Sequence, residues 1–96
     1  MNFHFNPHAR QELKNATVYY NSLSISLGDS FSLEVERAIS LILRLPEAWP
    51  LITPSARRCL TKRFPYGIVY AIRNEEIEIV AVMHLHREPK YWTDRK

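Results

Sequence analysis

The chain has 96 residues and a net charge of +3, with hydrophobic residues at 46% and charged residues at 24%. This length fits one domain spanning residues 1–96, and the apolar content excludes a disordered chain because enough surface is available to offset the entropy of ordering. A lone cysteine, Cys59, excludes an internal disulfide, and no apolar run approaches the roughly 20 residues of a membrane span.

Phe3 and Phe5 flank His4 in a period-2 pattern, which predicts a short first strand. Asn6-Pro7 is a helix start, since Asn caps and Pro suits the first helical position. Ala9, Leu13, Ala16, Tyr20 and Leu23 then form one apolar stripe, predicting a helix near residues 7–26 that ends at Gly28. Asp29 or Ser30 is the expected cap of a second helix near 29–45, with Phe31, Val35, Ala38, Ile42 and Leu45 inward and Pro46 as its stop. Glu47 to Ala56 has Pro50 and Pro54 and is expected to be an ordered loop with Trp49 against the core.

The period changes in the second half. Arg57–Arg63 alternates loosely, Tyr66–Ile72 is β-rich, and Ile77–Met83 is almost unbrokenly apolar. Three strands with turns at Pro65 and near Asn74-Glu75 predict an antiparallel meander whose last strand is central, being apolar on both faces. The expected fold is α+β: a short strand and a helical hairpin packed on an antiparallel sheet, in the order β-α-α-β-β-β with a C-terminal tail. Leu13, Ala16, Phe31, Val35, Ile42, Ile68, Ile79 and Ala81 are the expected core. Cys59 is expected to be a buried apolar filler, consistent with a reducing compartment. Met1–Pro7 has no basic-then-apolar pattern of a secretory signal, so a cytoplasmic location is expected.

Charge is placed unevenly. Residues 1–50 carry four Lys/Arg against five Asp/Glu, and residues 51–96 carry nine against five. A basic second half points to an acidic or nucleic-acid partner, or else to a solvated face. Arg57, Arg58, Lys62 and Arg63 are candidates for target binding, or for the charged face of an edge strand that deters edge pairing. His84 and His86 alternate on an extended segment. Two histidines without further ligand spacing do not define a metal site, so no metal or cofactor is expected. Tyr91 and Trp92 are amphipathic aromatics that either pin the tail or stack on a base.

The helical half contains Ala9…Glu12-Leu13…Ala16…Tyr19-Tyr20, then Leu27-Gly28…Phe31…Glu34-Val35…Ala38-Ile39…Ile42…Pro46. The strand half contains Phe64-Pro65-Tyr66…Ile68…Tyr70…Ile77…Ile79…Ala81-Val82…His84…Arg87…Pro89…Tyr91-Trp92. Together, in this order and at this length, the chain resembles the RelE/ParE superfamily of toxins from type II toxin–antitoxin pairs, on the ParE-like plasmid-stabilisation branch.

The resemblance implies a growth inhibitor neutralised by direct binding of a cognate antitoxin. It implies one of two targets: DNA gyrase, blocked by ParE-like members, or the ribosome with its mRNA, which RelE-like members cut without metal. A member that has lost toxicity and persists as a binding module is the third possibility. For a ribonuclease, the candidates carried over are Arg63, His86, Arg87 and Tyr91, with Arg57, Arg58, Lys62, Arg63, His84 and Arg87 as target-binding groups. Ribonuclease members carry an Arg early in the strand after the loop, where this chain has Gly67. The expectation therefore leans to gyrase.

Overall fold

The computed structural model of the protein describes residues 1–95. The first strand, β1 (Asn2–Phe5), leads into helix α1 (Pro7–Leu23), which the Asn6 side chain caps by accepting the His8 N–H at 2.9 Å. Helix α2 (Ile25–Arg44) follows after a single extended residue, Ser24. The break therefore comes earlier than expected, and Gly28 neither ends a helix nor adopts a positive φ. Asp29 and Ser30 are not caps either; they lie within α2, and the Ser30 hydroxyl donates to Ser26 O. Glycine at position 28 makes room for the Asn21 side chain: a Cβ there would sit 1.9 Å from Asn21 Oδ1 on the facing helix. Leu23 and Leu45, expected on the inward stripes, are exposed because the helices end at Leu23 and Arg44.

The strands are β2 (Leu51–Thr53), β3 (Ala56–Leu60), β4 (Tyr66–Arg73) and β5 (Glu76–His84), and the sheet order is β1-β5-β4-β3-β2. The meander β3-β4-β5 is antiparallel, as expected from its pattern, while β1 joins β5 in parallel at one edge. The supposed loop 47–56 contains β2, which covers the outer side of β3. Arg57 and Arg58 therefore do not belong to an edge strand. Lys62 and Arg63 lie beyond the end of β3, in the turn before β4. Asn74 and Glu75 both take positive φ, 51° and 64°, the geometry of a two-residue turn that matches the twist of β4 and β5.

Both faces of the sheet are covered, which explains the unbroken apolar run in β5. The helical hairpin buries Phe31, Val35 and Ile42 against Ile68, Tyr70, Ile77 and Ile79. On the opposite face, Val69, Ala71, Val80, Ala81 and Met83 pack with Trp92, which is fully buried. The tail is thus pinned by its tryptophan. Of the expected core, all are buried but Leu13, which is half-buried on the hairpin side. Cys59 is buried, and burial pushes its thiol up to about 11, as suits an inert filler.

Candidate functional site

A β-bulge decides where the end of β5 points. Val69 opposes Ala81 and Tyr70 opposes Ile79, so Val80 is the extra residue. Ile77 and Ile79 face the helices, Val80 and Ala81 both face the tail, and Val82 returns to the helix side. Bulges shift the alternation by one residue and re-aim everything beyond them. His84 thereby arrives on the helix side, edge-on to Tyr66 with ring centroids 5.1 Å apart. It lines a cleft of about 240 Å³ together with Glu12, Asn15, Ala16, Tyr19, Tyr66, Val82 and Arg87.

Glu12 organises this cleft. It lies three residues after Ala9 and four before Ala16, both buried, so the helical period turns its carboxylate toward the sheet. β1 covers β5 only as far as Ile79. Beyond that point side chains take over the work of a neighbouring strand: Glu12 Oε1 accepts the Val82 N–H at 3.0 Å, and Arg95 Nη1 donates to Val80 O at 3.2 Å. Arg95 also grips Glu12 with two bonds, 2.9 Å to Oε1 and 3.0 Å to Oε2. The Tyr91 hydroxyl donates to Oε2 at 2.7 Å. Burial, then this bond to a carboxylate, raises the Tyr91 pKa well above its ordinary value. Burial opposes the charge of Arg95, yet the bonds and charge of Glu12 outweigh it and its pKa is raised.

Arg87 stands at the mouth of the cleft. Its guanidinium carbon lies 3.8 Å from the centre of the Tyr91 ring, and its Nη1 is 4.0 Å from Glu12 Oε2. Its backbone N–H donates to His84 O at 3.0 Å, closing the turn after β5. The His86 N–H donates to Nδ1 of His84 at 3.1 Å, which places the ring proton of neutral His84 on Nε2. Among the described residues no three His, Cys, Asp or Glu side chains converge as metal ligands.

The structure thus brings together His84, His86, Arg87 and Tyr91. The remaining candidates are engaged elsewhere. Arg57 staples the segment after α2, donating to Glu47 O at 3.0 Å and Trp49 O at 2.6 Å. The stem of Arg58 crosses β4 on the tail face, where a Cβ on Gly67 would lie 2.8 Å from its Cδ. Gly67 pairs with Met83 on that same face, so a side chain at position 67 would point away from the His84 cleft. The Lys62 and Arg63 backbone N–H groups donate to Glu34 Oε1 at 2.9 and 3.0 Å, and the Arg63 guanidinium lies over the Phe64 ring at 5.2 Å. Arg63 does not line the cleft.

Sequence reasoning did not assign a site role to Glu12, Asn15, Tyr66 or Arg95. A carboxylate on the inward face of α1 was the available signal for Glu12, because buried charges are kept only where they are paired. Tyr20 is half-buried, as its place on the apolar stripe implied, in an aromatic cluster with Phe31, Phe64 and Tyr66. Tyr19 beside it is exposed.

A helical hairpin thus lies over a bulged sheet, with a cleft at the end of the last strand lined by Tyr19, Tyr66, His84 and Arg87. A chain of the chromosomal ParDE toxin–antitoxin system from P. aeruginosa has this fold, with a TM-score of 0.67 over 90% of this chain and 97% of that one. At 16% identity that similarity shows the fold alone. The family itself is fixed by the sequence: the ParE toxin of type II toxin–antitoxin systems, parDE, matches residues 3–89, and the chain belongs to that family. No curated protein matches the sequence significantly. No helix among the described residues is long and apolar enough to cross a membrane.

Proposed function

We propose that the chain is a growth-inhibiting toxin that a cognate antitoxin neutralises by direct contact, and that it acts by binding DNA gyrase rather than by cutting mRNA on the ribosome. One observation carries the choice of target. Metal-independent cleavage of RNA needs a proton carrier and several cations converging on one phosphate. Here the Tyr91 hydroxyl is tied to Glu12, and Arg57, Arg58 and Arg63 are held outside the cleft that contains His84 and Arg87. Because position 67 points away from the cleft, an arginine there would not reach it, and the reading rests on the dispersal of the cations instead.

The test adds the purified chain to gyrase with relaxed plasmid and, separately, to translating ribosomes. Inhibited supercoiling with intact mRNA is the expected result. Cuts in mRNA that vanish in the Arg87→Ala and His86→Ala proteins would instead establish the endonuclease reading. Expression of the chain alone is expected to slow bacterial growth, with recovery when the small protein encoded beside it is co-expressed. Harmless expression without a purifiable complex would mark a non-toxic binding module.

A further inference from the structure

We propose that Arg87 is a carboxylate receptor, and that the cleft beside it takes a segment of a protein partner presenting Asp or Glu next to an aromatic or branched apolar side chain. The proposal rests on the reading of the chain as a protein held by a protein antitoxin, and it locates one anchor point of such a contact.

Unbalanced charge is the first ground. Among the described residues Glu12 holds the one carboxylate within ion-pair reach of Arg87, but its two oxygens already accept from Val82 N–H, from Arg95 twice and from Tyr91. Those four donors fill the lone-pair sites of a carboxylate, and Arg95 balances its charge. Arg87 reaches Glu12 only as a long ion pair at 4.0 Å, beyond hydrogen-bond distance, so its guanidinium N–H groups have no hydrogen-bond acceptor among the described residues.

Preorganisation is the second. The guanidinium carbon is seated 3.8 Å from the centre of the Tyr91 ring, which restricts its freedom, while the side chain remains 54% exposed. A guanidinium with its N–H groups unclaimed offers the fork that matches a carboxylate bidentately.

The shape of the cleft supplies the neighbouring side chain. Ala16 and Val82 contribute its apolar lining, and Tyr19 and Tyr66 add aromatic rings. At about 240 Å³ it falls below the usual size of a small-molecule pocket, roughly 300–1,000 Å³, which favours one inserted side chain over a whole ligand. A nucleic-acid backbone would ask for several cations along its path, whereas this cleft offers one guanidinium.

The experiment titrates the isotope-labelled full chain with acetyl-Tyr-Glu-amide, with acetyl-Tyr-Gln-amide and with a 5′-phosphorylated uridine dinucleotide, followed by NMR. The Glu dipeptide is expected to shift the Arg87 side-chain N–H and the Ala16, Val82 and His84 amides. It should bind about fivefold or more tightly than the Gln dipeptide, a modest ratio because the guanidinium is half exposed. Arg87→Gln should abolish that preference, and Arg87→Lys should restore only part of it. Unchanged amide shifts outside the cleft will show that the variants are folded. No shift at these positions, equal binding of the two dipeptides, or tighter binding of the dinucleotide overturns the proposal. An antitoxin complex that forms equally well with Arg87→Gln also overturns it while leaving the toxin–antitoxin reading intact. A chain that shows the dipeptide preference but binds no antitoxin has the receptor without that reading.

Discussion

Replacing Glu12 with alanine removes the acceptor for a backbone N–H, a tyrosine hydroxyl and a bidentate arginine in one step. The Glu12 and Arg95 side chains are 15% and 12% exposed, so solvent screening takes little from the pair. Hydrogen bonds to charged groups contribute about 1.5–3 kcal/mol each, but the four share one carboxylate, and Arg95 and Tyr91 sit near enough to solvent to recover part of their hydration. Breaking a buried pair costs about 3–5 kcal/mol, and the partial access of water puts this site at the lower end, about 3 kcal/mol. For a domain of this size that lowers Tm by roughly 12–24 °C, at about 4–8 °C per kcal/mol. Urea unfolding of the wild type, Glu12→Ala, Arg95→Ala and the double variant, with the denaturant slope checked for constancy, measures it. The double variant should lose clearly less than the sum of the two singles, because both remove the same contact. A loss below about 1 kcal/mol for Glu12→Ala, or strict additivity, would mean that the cluster is solvated and does not hold the tail. Glu12 and Arg95 would then not be the groups that close the β5 edge.

Trp92→Ala should cost about 3–5 kcal/mol in the same assay, since the indole is fully buried and is the largest side chain on the tail face of the sheet. A change under about 1 kcal/mol would show the tail to be dispensable. The three atoms nearest a Cβ at Gly28 all belong to the exposed Asn21 side chain, so in an Asn21→Ala background Gly28→Ala should stabilise the protein by about 0.5–1 kcal/mol through helix propensity. Destabilisation there would place the crowding in the backbone instead. The backbone N–H of Arg63 holds the Glu34 carboxylate below its ordinary pKa against the opposing effect of burial, with Lys62 N–H and nearby cations adding to it. A lowered folded pKa contributes stability that is full above the ordinary value near 4.5 and is lost as pH falls through the folded one. Glu34→Gln should therefore flatten the acid limb of the stability profile below about pH 4.5, and parallel limbs for the two proteins would refute the link.

Local pattern determined which segments fold and which way most of them face. The stripe Ala9, Leu13, Ala16 and the stripe Phe31, Val35, Ala38, Ile42 place the hairpin, and the double-sided run Ile77–Met83 places β5 inside the sheet. Those signals are legible because helical and strand periods repeat over neighbouring residues, and an apolar face must be buried against something. Asn6-Pro7 was legible for the same reason, its cap being closed within two residues.

Other features depended on partners distant in the chain. Ser24 rather than Gly28 separates the helices, and the close approach at Gly28 becomes visible only when Asn21 faces it across the hairpin. The parallel pairing of β1 with β5 joins residues 74 apart, such as Phe3 and Ile77, and no strand pattern states its neighbour. The bulge at Val80 lies in an apolar run where every register looks equally good, yet it turns His84 toward Tyr66 and Arg87. Glu12, Tyr91 and Arg95 make one cluster across more than 75 residues because the end of β1 leaves the Val82 N–H and Val80 C=O of β5 without a strand. Periodicity records the face each residue needs. A buried donor or acceptor takes whichever partner the closed fold brings within about 3 Å, and that choice is made only in three dimensions.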